Sequence, residues 1–344
     1  MKNVLLGILV CNIFLSCTTK NNSIKTSNNC HIPVIFETDM GNDIDDALAL
    51  DLLYKAMDDG LVDIIGISNH KQSDYATTFI DIMNTWYGYP DIPIALAAKP
   101  VPNNHAADYT EAICKMMLDD KEAFARTKKE KDIEESVNMY RRLLSAQPDH
   151  SVVLVSVGFS TSLALLLDSK ADQYSKLSGK ELVAQKIKLT SVMGGSFGEK
   201  KRAEFNIEND IPAAQKFFAE WPTPIVLSPF EAGVMVQFPS TVIENDFGWT
   251  ALHPVVEGYK AYRPMPYNRA TWDLTSVLYV LHPDTDMFTR TEQGTIHVDE
   301  KGYTYFTPKE NGNVKWLYID KDQAVRMKKW FIDNITRKPE KYNR

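Results

Sequence analysis

Short apolar runs alternate with amphipathic segments from residue 31 to about residue 290. Val34-Ile35-Phe36 reads as a strand. A helix is predicted from Asp45 to Met57, because Leu48, Leu52, Leu53 and Ala56 fall on one face. Asp63 to Ser68 predicts a second strand and Asp74 to Tyr87 a second helix. Ile92 to Leu96 and Ser151 to Val157 read as further strands with helices after them, and Ile187 to Val192 and Pro224 to Leu227 repeat the scheme. Continuous apolar strands alternating with helices predict βαβ units. The fold class is therefore α/β, with a mainly parallel, Rossmann-like open sheet covered by helices on both faces. Near the end the period changes to two. Thr295 to Phe306 and Val314 to Ile319 alternate, with turn residues Lys309 to Asn313 between them, which predicts an antiparallel hairpin as a β appendage. A helix from Lys321 to Ile335 closes the chain. Residues 31–344 are read as a single domain. Ligands of such sheets bind at the carboxyl ends of the strands, so motifs directly after strands carry the most weight.

The first 30 residues follow a different pattern. Met1-Lys2-Asn3 gives a positive start, and Val4 to Leu15 is almost unbroken apolar chain. A membrane-spanning helix needs about 20 such residues, so residues 1–16 are read as an export signal. The ending Leu15-Ser16-Cys17 resembles a bacterial lipobox. That resemblance implies cleavage before Cys17, lipid on its thiol and a membrane-anchored protein of the cell envelope; an ordinary secretory signal with a chance cysteine is the alternative. Residues 17–30, rich in Lys, Asn, Ser and Thr, read as a flexible tether.

Composition narrows the function. With 44% hydrophobic residues the remaining chain buries a large core. A net charge of −7 and no Lys/Arg stripe argue against a nucleic acid polymer as partner. Of four cysteines, Cys11 leaves with the signal and Cys17 takes the lipid. Cys30 and Cys114 remain as one candidate pair, which is not a disulfide scaffold.

The candidate chemistry sits after the first strand, in Phe36-Glu37-Thr38-Asp39-Met40-Gly41-Asn42-Asp43-Ile44-Asp45-Asp46-Ala47. Five carboxylates fall within ten residues. Such crowding is unfavourable without a cation, and closely spaced oxygen donors suit Ca²⁺ or Mg²⁺, with no His or Cys cluster to indicate zinc. Helix capping by Asp45 and a first-turn role for Asp46 would account for two of the acids and leave Asp39 and Asp43 idle. An EF-hand loop does not fit, because Leu48 to Leu53 lacks the later ligands. A phosphatase of the haloacid dehalogenase type would place its nucleophilic Asp where Glu37 stands.

Asp39-Met40-Gly41 followed by Ile44-Asp45-Asp46-Ala47 resembles the amino-terminal signature of the inosine–uridine nucleoside hydrolases, Asp-Pro-Gly-x-Asp-Asp-Ala. The resemblance implies a calcium-dependent N-ribohydrolase in which Asp39 and Asp46 hold Ca²⁺ and Asp45 activates water. Asn42-Asp43 reads as a two-residue insertion, which makes Asp43 a candidate extra ligand. Three further stretches are similar to motifs of the same family, in the family's order. Val157-Gly158-Phe159-Ser160-Thr161-Ser162 implies a main-chain ligand at Thr161. Met193-Gly194-Gly195 with Glu204-Phe205-Asn206 implies ribose binding by Glu204 and Asn206, while Asp210 reads as the cap of the next helix. Thr271-Trp272-Asp273 implies Asp273 as the remaining calcium ligand. Trp272 stands where better known members carry His. Indole is no general acid, so it is assigned stacking on the base or one hydrogen bond. His105, Arg269 and Glu231 are further candidates for contacting the substrate. The resemblance also implies a small-molecule nucleoside as partner and a homo-oligomer. Two other readings stay open: a hydrolase of the same fold acting on another riboside or sugar, and a non-catalytic nucleoside- or sugar-binding lipoprotein.

Overall fold

The computed structural model describes residues 31–102 and 108–343; Cys17, Cys30 and His105 lie outside the described residues, and with them the lipid-attachment, disulfide and His105 assignments. The central strand is β1 (Ile32–Thr38), whose residues from Val34 onward are buried. The strands β2 (Val62–Lys71), β3 (Ile94–Val101) and the short β4 (Glu134–Glu135) follow outward on one side, all parallel. On the other side lie β5 (Val152–Ser156), β6 (Ile187–Met193) and β7 (Ile225–Ser228), again parallel.

These strands are apolar throughout because the sheet divides the core in two. Val34, Phe36, Val153 and Val155 pack on one side, with α1 (Asp45–Asp58) and α2 (Ala76–Tyr87). Ile35, Val152 and Leu154 pack on the other, with α3 (Ser136–Ala146), α4 (Thr161–Asp168) and α5 (Ile211–Glu220). A strand buried on both faces has no polar side to display, which removes the alternation that marks half-exposed strands.

The helix α1 begins at Asp45, where the apolar spacing places it, but its burial extends beyond the predicted face. Every residue from Asp45 to Ala56 is buried, because α6 (Trp272–Leu281) and α7 (Lys321–Ile335) pack against it. Its polar members satisfy each other: Lys55 Nζ donates to Asp51 Oδ2 at 2.8 Å, and the Tyr87 hydroxyl donates to the same carboxylate.

The predicted C-terminal antiparallel strands form, with Gly294 opposite Val314, but the first predicted segment is itself a hairpin. The hairpin spans Gly294 to Pro308: β9 (Gly294–Val298) returns antiparallel as β10 (Thr304–Pro308). The turn is Asp299-Glu300-Lys301-Gly302, where the Asp299 carboxylate accepts from the Lys301 and Tyr303 amides and Gly302 takes φ +78°. The strand β11 (Val314–Tyr318) runs parallel to β7 and so extends the main sheet, with β8 (Thr289–Arg290) paired to it. The sheet order is β10-β9-β11-β7-β6-β5-β1-β2-β3-β4. Strand order reverses between β1 and β5. The loops that leave their carboxyl ends, Asp39 to Ile44 and Val157 to Ser160, stand at that switch point, where ligands of such sheets bind.

Candidate active site

The turn after β1 is built to gather acids. Gly41 has φ +102°, and a side chain there would meet Asp108 at 3.0 Å and the Lys71 ammonium at 3.1 Å, so glycine is required. The Asn42 amide donates to the Asp39 carbonyl at 3.2 Å, and Asn42 Nδ2 to Asp39 Oδ2 at 2.6 Å. The helix N-cap is Ile44, without a side-chain cap, so Asp45 and Asp46 occupy the first turn rather than capping it. Asp45 Oδ2 accepts the Asp273 amide at 3.1 Å, and the Thr38 hydroxyl donates to Asp46 Oδ1. Asp45, Asp46 and Asp273 thereby present oxygens all within 4.8 Å of one another, each side chain buried. Asp39 lines the same cleft outside that trio.

The electrostatics follow from this crowding. Burial, then the charge of neighbouring aspartates, pushes Asp45, Asp46 and Asp273 well above the ordinary carboxylate range. Asp39 is raised by burial and partly relieved by the Asn42 hydrogen bond and the charge of Lys71. Lys71 is itself buried, 3.6 Å from Asp108, and its ammonium makes no hydrogen bond to a described residue. One buried lysine cannot neutralise this cluster. A divalent cation with oxygen ligands can, and the donor set is all oxygen.

Opposite the acids stand Glu204 and Asn206 from the turn after β6. Glu204 caps the short helix Phe205–Glu208 and accepts from the Asn206 amide at 3.1 Å and the Gly195 amide at 3.2 Å. Burial pushes it up to about 7. Asn206 Nδ2 donates to the Val157 carbonyl at 2.9 Å, which ties the turns after β5 and β6 together. Gly158 brings β1 close: a Cβ there would lie 2.7 Å from the Thr38 carbonyl carbon and 2.8 Å from the Asp39 nitrogen. Gly158→Ala is therefore expected to destabilise the fold by about 1–3 kcal/mol and to weaken metal binding through Asp39, read by thermal melting and metal titration. The cleft between the two groups holds about 240 Å³. Its rim is Phe230, Tyr262, Arg263, Arg269 and Trp272.

The sequence profile of the inosine-uridine preferring nucleoside hydrolases matches residues 34–327. The chain belongs to that family. It is a glycosidase, an enzyme of the N-ribohydrolase kind. Among solved structures, it is similar to a plant nucleoside hydrolase (17% identity, 89% of this chain and 99% of that one, TM-score 0.68). It is also similar to a purine-preferring ribonucleoside hydrolase from Gardnerella vaginalis (16%, 88% and 98%, 0.67). An inosine-uridine preferring nucleoside hydrolase from Bacillus anthracis is a third (17%, 88% and 99%, 0.60). At these identities the likeness is one of fold. No curated protein matches the chain.

Within this nucleoside hydrolase the structure brings Asp39, Asp43, Asp45, Asp46, Glu204, Asn206, Arg269, Trp272 and Asp273 to one cleft, from three separate stretches of chain. Other assignments change. Thr161 does not line the cleft; its hydroxyl donates to Asp210, which caps α5 as expected, and Val157 is the residue of that turn facing the cleft. Asp43 is no free ligand, since both its oxygens take hydrogen bonds from Arg269. Glu231 does not face the cleft: it accepts from Ser196 Oγ at 2.5 Å and from the Phe197 and Gly198 amides, and so pins that loop. Trp272 keeps its ring at the cleft, but Nε1 donates to the Phe230 carbonyl at 3.0 Å. It therefore has no N–H to offer a base. Glu37 turns away from the acids, accepting from the Tyr140 hydroxyl inside the core. The rim residues Phe230, Tyr262 and Arg263 carry no motif, and only the fold reveals them.

Proposed function

We propose that the protein hydrolyses the N-glycosidic bond of ribonucleosides to free base and ribose, with Ca²⁺ as its metal. The observation that carries this reading is the convergence of buried Asp45, Asp46 and Asp273 across one cleft from Glu204 and Asn206. Asp39, Asp46 and Asp273 would hold the ion, as hard oxygen donors suited to it. When bound, the ion supplies charge that orients the ribose hydroxyls and the attacking water and lowers the pKa of that water. Asp45 spends Oδ2 on the Asp273 amide, which leaves Oδ1 to take a proton from water. Glu204 and Asn206 anchor the sugar while charge builds on the anomeric centre of an oxocarbenium-like transition state. The same reading extends to the cell: export by residues 1–16, a lipid at Cys17, a tether to residue 30, and nucleoside salvage at the envelope by a homo-oligomer.

The test is ribose release from a panel of purine and pyrimidine nucleosides by the soluble protein lacking residues 1–17. We expect release that stops in a chelator and returns with calcium. Tight calcium binding without release from any nucleoside would move the search to other ribosides or to a binding role.

A further inference from the structure

Hydrolysis of a nucleoside needs help for the departing base, and the cleft is poorly stocked with acids that could give it. Among its described lining residues there is no histidine and no lysine. Burial pushes the Tyr262 hydroxyl up to about 12, and the Trp272 N–H is spent on Phe230. Glu204, pushed up to about 7, is held by the Gly195 and Asn206 amides on the sugar side, so two arginines remain as donors for the base. Arg263 is exposed, its guanidinium carbon 5.1 Å from the Tyr262 ring. Arg269 is held on three sides. Its Nε and Nη2 donate to the two oxygens of Asp43, the first at 2.7 Å. Its guanidinium carbon lies 5.0 Å from the Trp272 ring and 5.3 Å from the Tyr262 ring. A two-point fork and aromatic faces fix a guanidinium far better than one contact does. Its Nη1 makes no hydrogen bond to a described residue and sits in a group that lines the cleft.

We propose that Arg269, positioned by Asp43, stabilises the base as it leaves in anionic form, without a titrating general acid. This role rests on the nucleoside hydrolase reading above. The bond from the anomeric carbon to the base nitrogen breaks, and its electron pair stays on the base. Nη1 donates a hydrogen bond to a ring acceptor of the base and keeps its proton, since a guanidinium is not deprotonated in proteins. Water adds to the anomeric carbon and gives its proton to Asp45. The released base takes a proton from solvent, and Asp45 returns one. The two extra residues Asn42-Asp43 then have a purpose: they put a carboxylate beside a residue 226 positions away.

Substrates with different leaving groups separate this role from a structural one. Inosine needs its base stabilised, whereas 4-nitrophenyl riboside departs as a stable phenolate. Arg269→Gln is expected to lower kcat on inosine by about 10²–10³-fold, and to lower it far less on the nitrophenyl riboside. Asp43→Asn should show the same ordering, about tenfold on inosine, and Arg269→Lys should fall between. Calcium affinity by calorimetry is expected to stay within a few-fold in all three. Equal losses on both substrates would overturn the role and make the pair a brace for the loop. A wild-type protein that cleaves neither riboside removes the hydrolase reading and this role with it.

Discussion

Asp45→Asn is expected to lower kcat by about 10²–10⁴-fold, the usual cost of deleting a general base, with KM changed only a few-fold. Asparagine is nearly isosteric and its amide oxygen still accepts the Asp273 N–H that Asp45 Oδ2 takes at 3.1 Å, so the junction between α1 and α6 survives. It cannot take a proton from water. Steady-state kinetics on the best nucleoside should be paired with calcium calorimetry on the same variant, because Asp45 lies in the trio whose oxygens approach within 4.8 Å. Retained calcium with lost turnover identifies the base. Loss of both makes Asp45 a ligand, and a fall of less than tenfold removes it from proton transfer.

The second large effect concerns stability. In chelator, the melting temperature is expected to fall as pH rises from about 5 to 8, and added calcium should restore more at pH 8 than at pH 5. The sign follows from linkage. Asp39, Asp45, Asp46, Asp273 and Glu204 all have folded pKa values raised above their unfolded ones, chiefly by burial. Above pH 4 the unfolded chain holds fewer protons than the folded one, so stability declines as pH rises through the folded values. Glu204 alone, raised from 4.5 to about 7, costs the metal-free fold roughly 3 kcal/mol by pH 8. A bound divalent cation replaces those protons, and its effect grows as they become scarce. At calcium 100-fold above its dissociation constant the gain is about 2.7 kcal/mol, or about 5 °C or more. Scanning calorimetry across pH with and without calcium reads this directly. A metal-free protein that gains stability toward pH 8 would show that the acids are not strained as their burial requires.

The strands and first helices were legible because both depend on local periodicity. The run Val34 to Phe36 and the spacing of Leu48, Leu52 and Leu53 are enough to locate β1 and α1. The C-terminal hairpin was legible as a change of period, but not the place of its turn, because the alternation of Thr295 to Phe306 continues through a turn of Asp, Glu, Lys and Gly. Its four turn residues, not its period, mark the hairpin. The partner of β11 was out of reach of pattern: parallel pairing with β7 joins segments nearly 90 residues apart.

The same division runs through the site. Acid crowding after β1 is a compositional fact, and the Glu204-Phe205-Asn206 triplet was legible through its resemblance to a family motif. Which oxygen faces which partner is a different matter. Asp43 and Asp45 are two residues apart, yet one is spent on Arg269 and the other lies in the buried trio. Glu231 follows a strand as a site residue should, and is consumed by a loop. Trp272 stands at the cleft with its N–H already committed. By itself the sequence determined the alternation of strands and helices and the acids gathered after β1, because periodicity and charge density are properties of neighbouring residues. Only the tertiary structure decided which polar groups remain free for substrate and metal, because hydrogen bonds are claimed by whichever partners the fold brings within 3 Å, however distant in the chain.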